Sequence, residues 1–502
     1  MSLLGLDVGT TGAKAIVFRE DGGILGQGYR EYPLLHPRPD WIELDPTQVW
    51  ELTAEAIREA VANAGSADPV EALAVSCLGE ATAPVARDGQ IVRNSILGFD
   101  ARGQEEVDWW DTEVGRERIF RITGRPLNIM YTAHKLMWLK THEPQAYDRT
   151  WKFLGYGDYT LWRLGAEPAI DYSLAGTMML FDVNTKQWSE ELLDLAGLQT
   201  EKLSRPVPAG TEVGTIAAGV AESLGLPQGV KLVTGGHDQP CGALGSGCVE
   251  DGMAMDATGT VECLTPAFSR LVLTDGMLRS NLCCYDHTVP GMYVSLAFNF
   301  TGGSLLKWFR DTLGQADVEE ARRAGEDVYD VLLRQCADEP SPVLVLPHFT
   351  LTGTPWMDPK AKGAFFGLQL STTKGELIKG LLDGLSYEMR LNLELLRKAG
   401  VTLRELRAIG GGAKSPVWLQ LKADIFGMPV ARLNVTECAC LGAAVLAGAA
   451  VGRYNSVAEA AQSVVSVEQV YEPRPDREAA YRDKYAIYRD LYPTTAPLSH
   501  RL

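Results

Sequence analysis

One short phrase occurs twice, half a chain apart, and it restricts the possible folds more than any other feature of the sequence. Near the start, Leu3-Leu4-Gly5-Leu6 runs into Asp7-Val8-Gly9-Thr10-Thr11-Gly12-Ala13-Lys14. Past the midpoint, Met253-Ala254-Met255 runs into Asp256-Ala257-Thr258-Gly259-Thr260. Each is a brief apolar run, read as a strand, that ends in a carboxylate and a turn of glycine and hydroxyl residues. Glycine lets the backbone approach a phosphate, threonine hydroxyls and free N–H groups donate to its oxygens, and the Asp can hold a metal ion. Gly-Thr turns occur in many ordinary loops, so a single copy carries little weight. Two copies at corresponding places predict a nucleotide held between two related domains.

Length and charge support that reading. A chain of 502 residues exceeds what one hydrophobic core serves, so two large domains are expected. The net charge of −17 argues against a nucleic-acid partner, because a phosphate backbone demands a basic surface. A nucleotide would therefore need local backbone donors, a few cations and a divalent metal. The nine cysteines include no CxxC pair, so they read as free thiols in a reducing compartment and not as a zinc site. Asp7 interrupts the first apolar stretch, and no basic segment precedes it, so a cytoplasmic location is expected. The run from Cys440 to Val451 is too short to span a bilayer and reads as a buried helix, with no membrane partner.

Strands are expected at Ala13–Arg19, Ile24–Glu31, Ala72–Ser76 and Lys231–Thr234, on both sides of Asp256, and at Tyr293–Ala297 and Leu406–Ile409. A helix is expected from Pro46 through Ala64, with Asp45 as its N-cap. Further helices are expected near Gly103–Gly115, His134–His142, from His237, and at Ser304–Thr312, Thr373–Ala399, Pro416–Phe426 and Leu441–Ala450. Alternating strands and helices imply α/β domains. No long Gly/Ser linker is present, so the boundary is expected at a tight crossover near Gly245–Gly252, giving domains 1–246 and 247–502.

Two more segments carry chemistry. Gly410-Gly411-Gly412-Ala413-Lys414 stands between a strand and a helix, where three glycines leave room for a flat ligand or a phosphate. A plain strand-to-helix turn explains such a cluster equally well when it stands alone. In Thr234-Gly235-Gly236-His237-Asp238-Gln239, an Asp stands at the mouth of a helix, a good place for a general base. A helix N-cap accounts for that Asp just as readily. His237 reads as a packed residue beside it.

Taken together, these segments resemble the FGGY carbohydrate kinases, a family that includes xylulokinases, glycerol kinases and gluconokinases. The resemblance runs through nearly the whole chain. It is carried further by Met130-Tyr131-Thr132-Ala133-His134-Lys135-Leu136-Met137-Trp138-Leu139, by Trp41 to Pro46, by Thr301 to Phe309 and by Pro355 to Pro359. The second family signature is approximated from Gly363 through Asp383, with Gly380 where the family has Ala or Ser.

The resemblance implies two ribonuclease H-like domains, of the actin, hexokinase and Hsp70 type, facing across a central cleft. It implies ATP and Mg²⁺, a small sugar or polyol as acceptor, and a homodimer as a common assembly. Asp7 would hold the metal; Gly9, Thr10, Thr11 and Lys14 would meet the β- and γ-phosphates. Gly259, Thr260, Gly303 and Lys307 would approach the nucleotide from the second domain, and Gly411, Gly412 and Ala413 would pack on adenosine. Asp238 would be the catalytic base and Gln239 would touch the sugar.

The acceptor stays open at this level. Glycerol kinases carry an Arg-Glu pair where this chain has Gly79-Glu80, and xylulokinases carry a Met-His pair that is also missing. The Gly410–Ser415 and Pro355–Gly363 segments look more xylulokinase-like, which favours a ketopentose. Glu80, Asp100 and Arg102 are candidate hydroxyl contacts, with a solvated charge pair as the competing explanation. A nucleotide-dependent switch without sugar chemistry is the competing function, since one scaffold hosts both. Asp238 followed by Gln239 favours the kinase.

Overall fold

Both copies of the repeated phrase open a sheet, and the two sheets share one topology. In the computed structural model, which describes residues 1–502, the first sheet contains β1 (Ser2–Val8), β2 (Gly12–Phe18), β3 (Ile24–Glu31), β4 (Val70–Cys77), β5 (Glu212–Thr215) and β6 (Lys231–His237). Their spatial order is β5-β6-β4-β1-β2-β3. The second sheet contains β7 (Gly252–Thr258), β8 (Glu262–Phe268), β9 (Ala297–Asn299), β10 (Leu403–Ile409), β11 (Val430–Leu433) and β12 (Val467–Tyr471), with two short strands, Tyr285–Asp286 and Tyr293–Val294, added at the far end of β8. There β9 pairs with β8, and the order continues through β7, β10, β11 and β12. In each sheet the strand that carries the phrase has an antiparallel hairpin on one side and parallel strands on the other. This is the ribonuclease H-like arrangement that the resemblance implies. Its central strands are apolar on both faces because helices cover both, as at Leu3, Leu4, Leu6 and Val8.

The helices that frame the site are α1 (Pro46–Ala64), α2 (Asp238–Gly245), α3 (Gly303–Leu313), α4 (Lys374–Lys398), α5 (Pro416–Phe426), α6 (Cys438–Ala450) and α7 (Pro475–Ser499). Local chemistry fixes several of their ends. Asp45 Oδ1 accepts from the Thr47 amide at 2.8 Å ahead of Pro46, and Thr373 with Glu376 forms a reciprocal capping box on α4. The strand expected over Tyr293–Ala297 is instead two pieces, Tyr293–Val294 and β9. Pro266 of β8 lies beside the break and has no N–H to give the ladder. The long α7 was not expected; its Tyr481, Tyr485, Tyr488 and Tyr492 line one buried face at helical spacing.

A short connection, Ser246–Asp251, joins α2 to β7. Packing does not respect that division of the sequence. Helix α6, late in the second half, lies against β1, β4 and β6 of the first sheet and against α2. Glycine makes this approach possible. A Cβ at Gly245 would fall 1.8 Å from the Cys438 carbonyl oxygen, one at Gly442 2.0 Å from that of Cys241, and one at Gly5 1.9 Å from that of Cys440. Besides one core per domain, a third core draws Ile16, Ala74 and Val233 from the first sheet and Met255 and Ala267 from the second. The two domains are thus hinged on shared apolar packing. No helix is long and apolar enough to cross a membrane, and all nine cysteines are free.

Candidate active site

The two repeated turns close in the same way. The Gly9 amide donates to the Gly12 carbonyl and the Gly259 amide to the Val261 carbonyl, each at 2.9 Å. Their surroundings differ. In the first turn, Tyr32 donates its hydroxyl to the Gly9 carbonyl at 2.6 Å, while the N–H groups and hydroxyls of Thr10 and Thr11 have no partner within the protein. The Asp7 carboxylate accepts from the Ser76 hydroxyl at 2.9 Å and pairs with no lysine or arginine. Burial pushes it up to about 6. Lys14 stands opposite Asp7 in the hairpin, but its Nζ reaches Glu437, the residue that starts α6, at 2.8 Å.

In the second turn the carboxylate is wholly buried and compensated. Lys422 of α5 places Nζ 2.6 Å from Asp256, 2.7 Å from Glu262 and 2.6 Å from the Thr258 hydroxyl. The turn is also tied down, because the Gly303 amide at the start of α3 donates to the Gly259 carbonyl at 2.8 Å. That bond occupies the Gly303 N–H. Sequence reasoning missed Lys422, Glu262 and Glu437, since nothing local relates them to the turns.

Two cavities adjoin these turns. One, of about 570 Å³, is lined by Gly259, Thr260, Gly303, Lys307, Gly411 and Gly412, with Tyr329 and Trp418. Lys307 is also salt-bridged to Asp311 at 2.7 Å. Ala413 does not line this cavity and packs toward the second core, which corrects its expected contact with adenosine. Two of the consecutive glycines are required by Thr258 itself: a Cβ would lie 2.6 Å from its carbonyl oxygen at Gly410 and 2.7 Å from its Cβ at Gly412. At Gly411 the nearest such atom is 4.0 Å away, so the open side is there. A surface groove of about 640 Å³ beside Arg58 and Pro227 is lined by no residue of either turn.

The other cavity, of about 320 Å³, lies deeper in the cleft and is lined by Thr10, Glu80, Phe99, Met130, Asp238 and Gln239 from the first half and by Val261, Phe298 and Phe300 from the second. Thr260 faces the larger cavity and Val261 the deeper one, so the second turn stands between them. Asp238 is the first residue of α2, with its side chain 37% exposed to the cleft. His237 Nε2 lies 3.1 Å from its Oδ1, off the line of a hydrogen bond, and that oxygen has no hydrogen-bond partner. Burial, together with the charges of Asp7 and Glu80, pushes Asp238 up to about 8. Burial lifts Glu80 to about 7, against the pull of Arg125. Burial also pushes His237 down to about 3 and keeps it neutral; its Nδ1 and the Tyr285 hydroxyl share a hydrogen bond of 2.9 Å.

Asp100 and Arg102 are elsewhere, which corrects their expected role as hydroxyl contacts. Arg102 reaches Asp100 at 2.8 and 2.6 Å and Glu43 at 2.8 Å, and its guanidinium lies 3.8 Å from the centre of the Trp41 ring. The Ile42 amide takes the remaining capacity of Asp100 at 2.6 Å. The pair is buried and ion-paired, and neither residue lines either cavity.

The carboxylates of Asp7 and Asp238 fit a divalent ion of one kind. No three His, Cys, Asp or Glu side chains are grouped to hold a metal by themselves. Asp7 and Asp238 nevertheless offer hard oxygen donors that no cation of the protein neutralises. Mg²⁺ is commonly held by one or two carboxylates, with waters and phosphate oxygens completing its octahedron.

Comparison with known proteins agrees with this geometry. The profile of the N-terminal domain of the FGGY family of carbohydrate kinases matches residues 2–245, and that of its C-terminal domain matches residues 255–451. A xylulose kinase of Staphylococcus epidermidis is 26% identical, with 99% of this chain and 97% of its own length covered. A glycerol kinase of a Polaromonas species is 31% identical, with 91% and 92% covered. The crystal structure of xylulose kinase from Rhodospirillum rubrum superimposes with a TM-score of 0.89 at 27% identity, with 100% of each chain covered.

Proposed function

The chain belongs to the FGGY family of carbohydrate kinases, phosphotransferases acting on a sugar hydroxyl, and we propose that its acceptor is a ketopentose of the xylulose type. The observation that carries the reading is Asp238, a carboxylate with an unpartnered oxygen on the wall of a cavity sized for a small sugar. Asp238 takes the proton of the acceptor hydroxyl as that oxygen bonds to the γ-phosphorus and the bond to the β-phosphate oxygen breaks. One carboxylate is enough, because the transition state is loose and positioning with charge stabilisation does most of the work. Thr10 and Thr11 offer their free N–H and hydroxyl donors to the transferred group, and Thr260 approaches from the opposite domain. Mg²⁺, held through Asp7, would supply charge stabilisation at the phosphate oxygens. Tyr329 and Trp418, with the open face of Gly411, form the adenosine side. The hinge at α2 and α6 lets the domains close and exclude water, which competes for the phosphoryl group.

The test is ADP release with a panel of pentuloses, polyols and sugar acids. D-xylulose is expected to stimulate turnover most. A best acceptor of another class overturns the ketopentose reading, and no stimulation by any acceptor overturns sugar phosphorylation. Asp238→Asn is expected to lower turnover about 10²–10⁴-fold while leaving ATP affinity within a few-fold. A variant that keeps its activity removes Asp238 from the chemistry.

A further inference from the structure

Behind the deeper cavity lies a small annexe of about 50 Å³ that shares Glu80, Met130, Leu296 and Phe298 with it. A single water needs only about 10–15 Å³ measured the same way, so the annexe has room for the hydroxylated end of a chain. Arg125 forms part of its wall. The residue is only 2% exposed, yet one of its donors is idle: Nε donates to the Gly176 carbonyl at 3.0 Å, and the buried Nη2 has no partner. A buried guanidinium with an idle donor is costly unless something accepts from it. Its plane is set by Tyr285, whose ring centre lies 3.7 Å away, and Tyr131 stands at 5.7 Å. Glu80 also lines the annexe, held at a φ of +56°, with no side-chain hydrogen bond of its own. A donor-only group and a carboxylate thus line one space that admits the hydroxylated end of a chain.

We propose that Arg125 is a specificity-determining residue of the acceptor site, forming with Glu80 a clamp that reads the hydroxyl-bearing end of the acceptor remote from the reacting oxygen. The inference rests on the kinase reading and narrows its substrate class. Tyr285 and His237 stand between Arg125 and Asp238, joined to each other and to the base by contacts of 2.9 and 3.1 Å. An acceptor that reaches both Asp238 and the annexe must therefore be an extended chain. Its far end must also be neutral, since a carboxylate there would meet Glu80. Open-chain ketoses and polyols of about five carbons meet both conditions; a three-carbon triol that engages Asp238 leaves the annexe unread.

Steady-state kinetics with glycerol, erythritol, D-xylulose, xylitol and D-gluconate tests the clamp in the wild type, Arg125→Lys and Glu80→Gln. For D-xylulose and xylitol, Arg125→Lys is expected to raise KM about 10–100-fold with kcat within about threefold. KM for ATP and kcat/KM for glycerol should change less than about threefold, a split that general structural damage does not produce. Equal losses with every acceptor, unchanged kinetics with five-carbon acceptors, or D-gluconate as the best wild-type substrate each overturn the proposal. Glu80→Gln keeps the side-chain shape but also removes a charge that acts on Asp238, so its arm is read as KM alone. KM for D-xylulose and xylitol should rise about tenfold or more and KM for glycerol less than about threefold, which decides the matter if Arg125→Lys does not fold. If the wild type phosphorylates none of the panel, the kinase reading has failed and calorimetric binding of D-xylulose judges the clamp. Binding that Glu80→Gln weakens about tenfold or more supports it; absent or unchanged binding overturns it.

Discussion

The turns at Asp7 and Asp256 share a strand, a hairpin closure and a place in a duplicated sheet, yet their carboxylates have opposite fates. Asp256 is sealed under Lys422, with Glu262 and Thr258 completing a buried polar cluster. Asp7 keeps only the Ser76 hydroxyl, and the lysine across its hairpin is turned toward Glu437. One carboxylate is tied into a rigid buried cluster, and the other has stayed short of positive charge. The difference teaches that two copies of one turn can differ in chemical readiness, because the cation supplied by the rest of the fold reaches only one of them.

The largest way to break the comparison is Asp7→Asn. Loss of the candidate metal contact should lower kcat about 10²-fold or more, in line with the loss of a major charge-stabilising group. The melting temperature should hold or rise, because the change removes a carboxylate that burial already disfavours. Activity near wild type would erase the functional asymmetry of the two turns.

Lys422→Met should show the reverse pattern. It leaves two buried carboxylates without their cation, and breaking such a cluster costs about 3–5 kcal/mol, measurable by urea unfolding. Any loss of activity should appear mainly as a raised KM for ATP, because the cluster underlies the nucleotide wall. An unfolding free energy within about 0.5 kcal/mol of wild type would contradict the sealed reading of Asp256.

The remaining test is in pH and needs no substitution. Asp238, raised to about 8 by burial and by its acidic neighbours, is protonated in the free enzyme at neutral pH. Only its ionised form accepts a proton, so kcat/KM for the acceptor should climb with pH by up to about tenfold per unit and level off near 8. Stability has the opposite trend: a carboxyl whose pKa is raised by folding favours the fold while protonated. Its contribution is complete at low pH and is lost as pH rises through about 8. A pH-rate profile that is flat between 6 and 8 would show that Asp238 is not the group that limits the reaction.

Much of the frame was legible along the chain. Asp45 and Pro46 predicted α1 to its first residue, because capping is local chemistry. Apolar runs ending at Asp7 and Asp256 gave both central strands, because a strand covered on both faces must be apolar throughout. Asp238 was legible for the same kind of reason, as a charge at a strand-to-helix junction. Asp100 and Arg102 misled, since two ionisable residues beside a candidate segment look alike in sequence whether they face a cavity or each other. Only the packing of Glu43, Ile42 and Trp41 around them separates the cases.

The sequence by itself determined the duplicated domains, the glycine turns and the residue at the mouth of α2. Those features rest on contacts between neighbours in the chain and on the periodicities of helix and strand. Only the tertiary structure decided that Lys422 neutralises Asp256 from 166 residues away, that Glu437 holds Lys14 from 423 away, and that Arg125 and Glu80 line one small annexe. The physical reason is that charge pairing and cavity shape depend on distance in space, and two hydrophobic cores with a third shared between them set those distances.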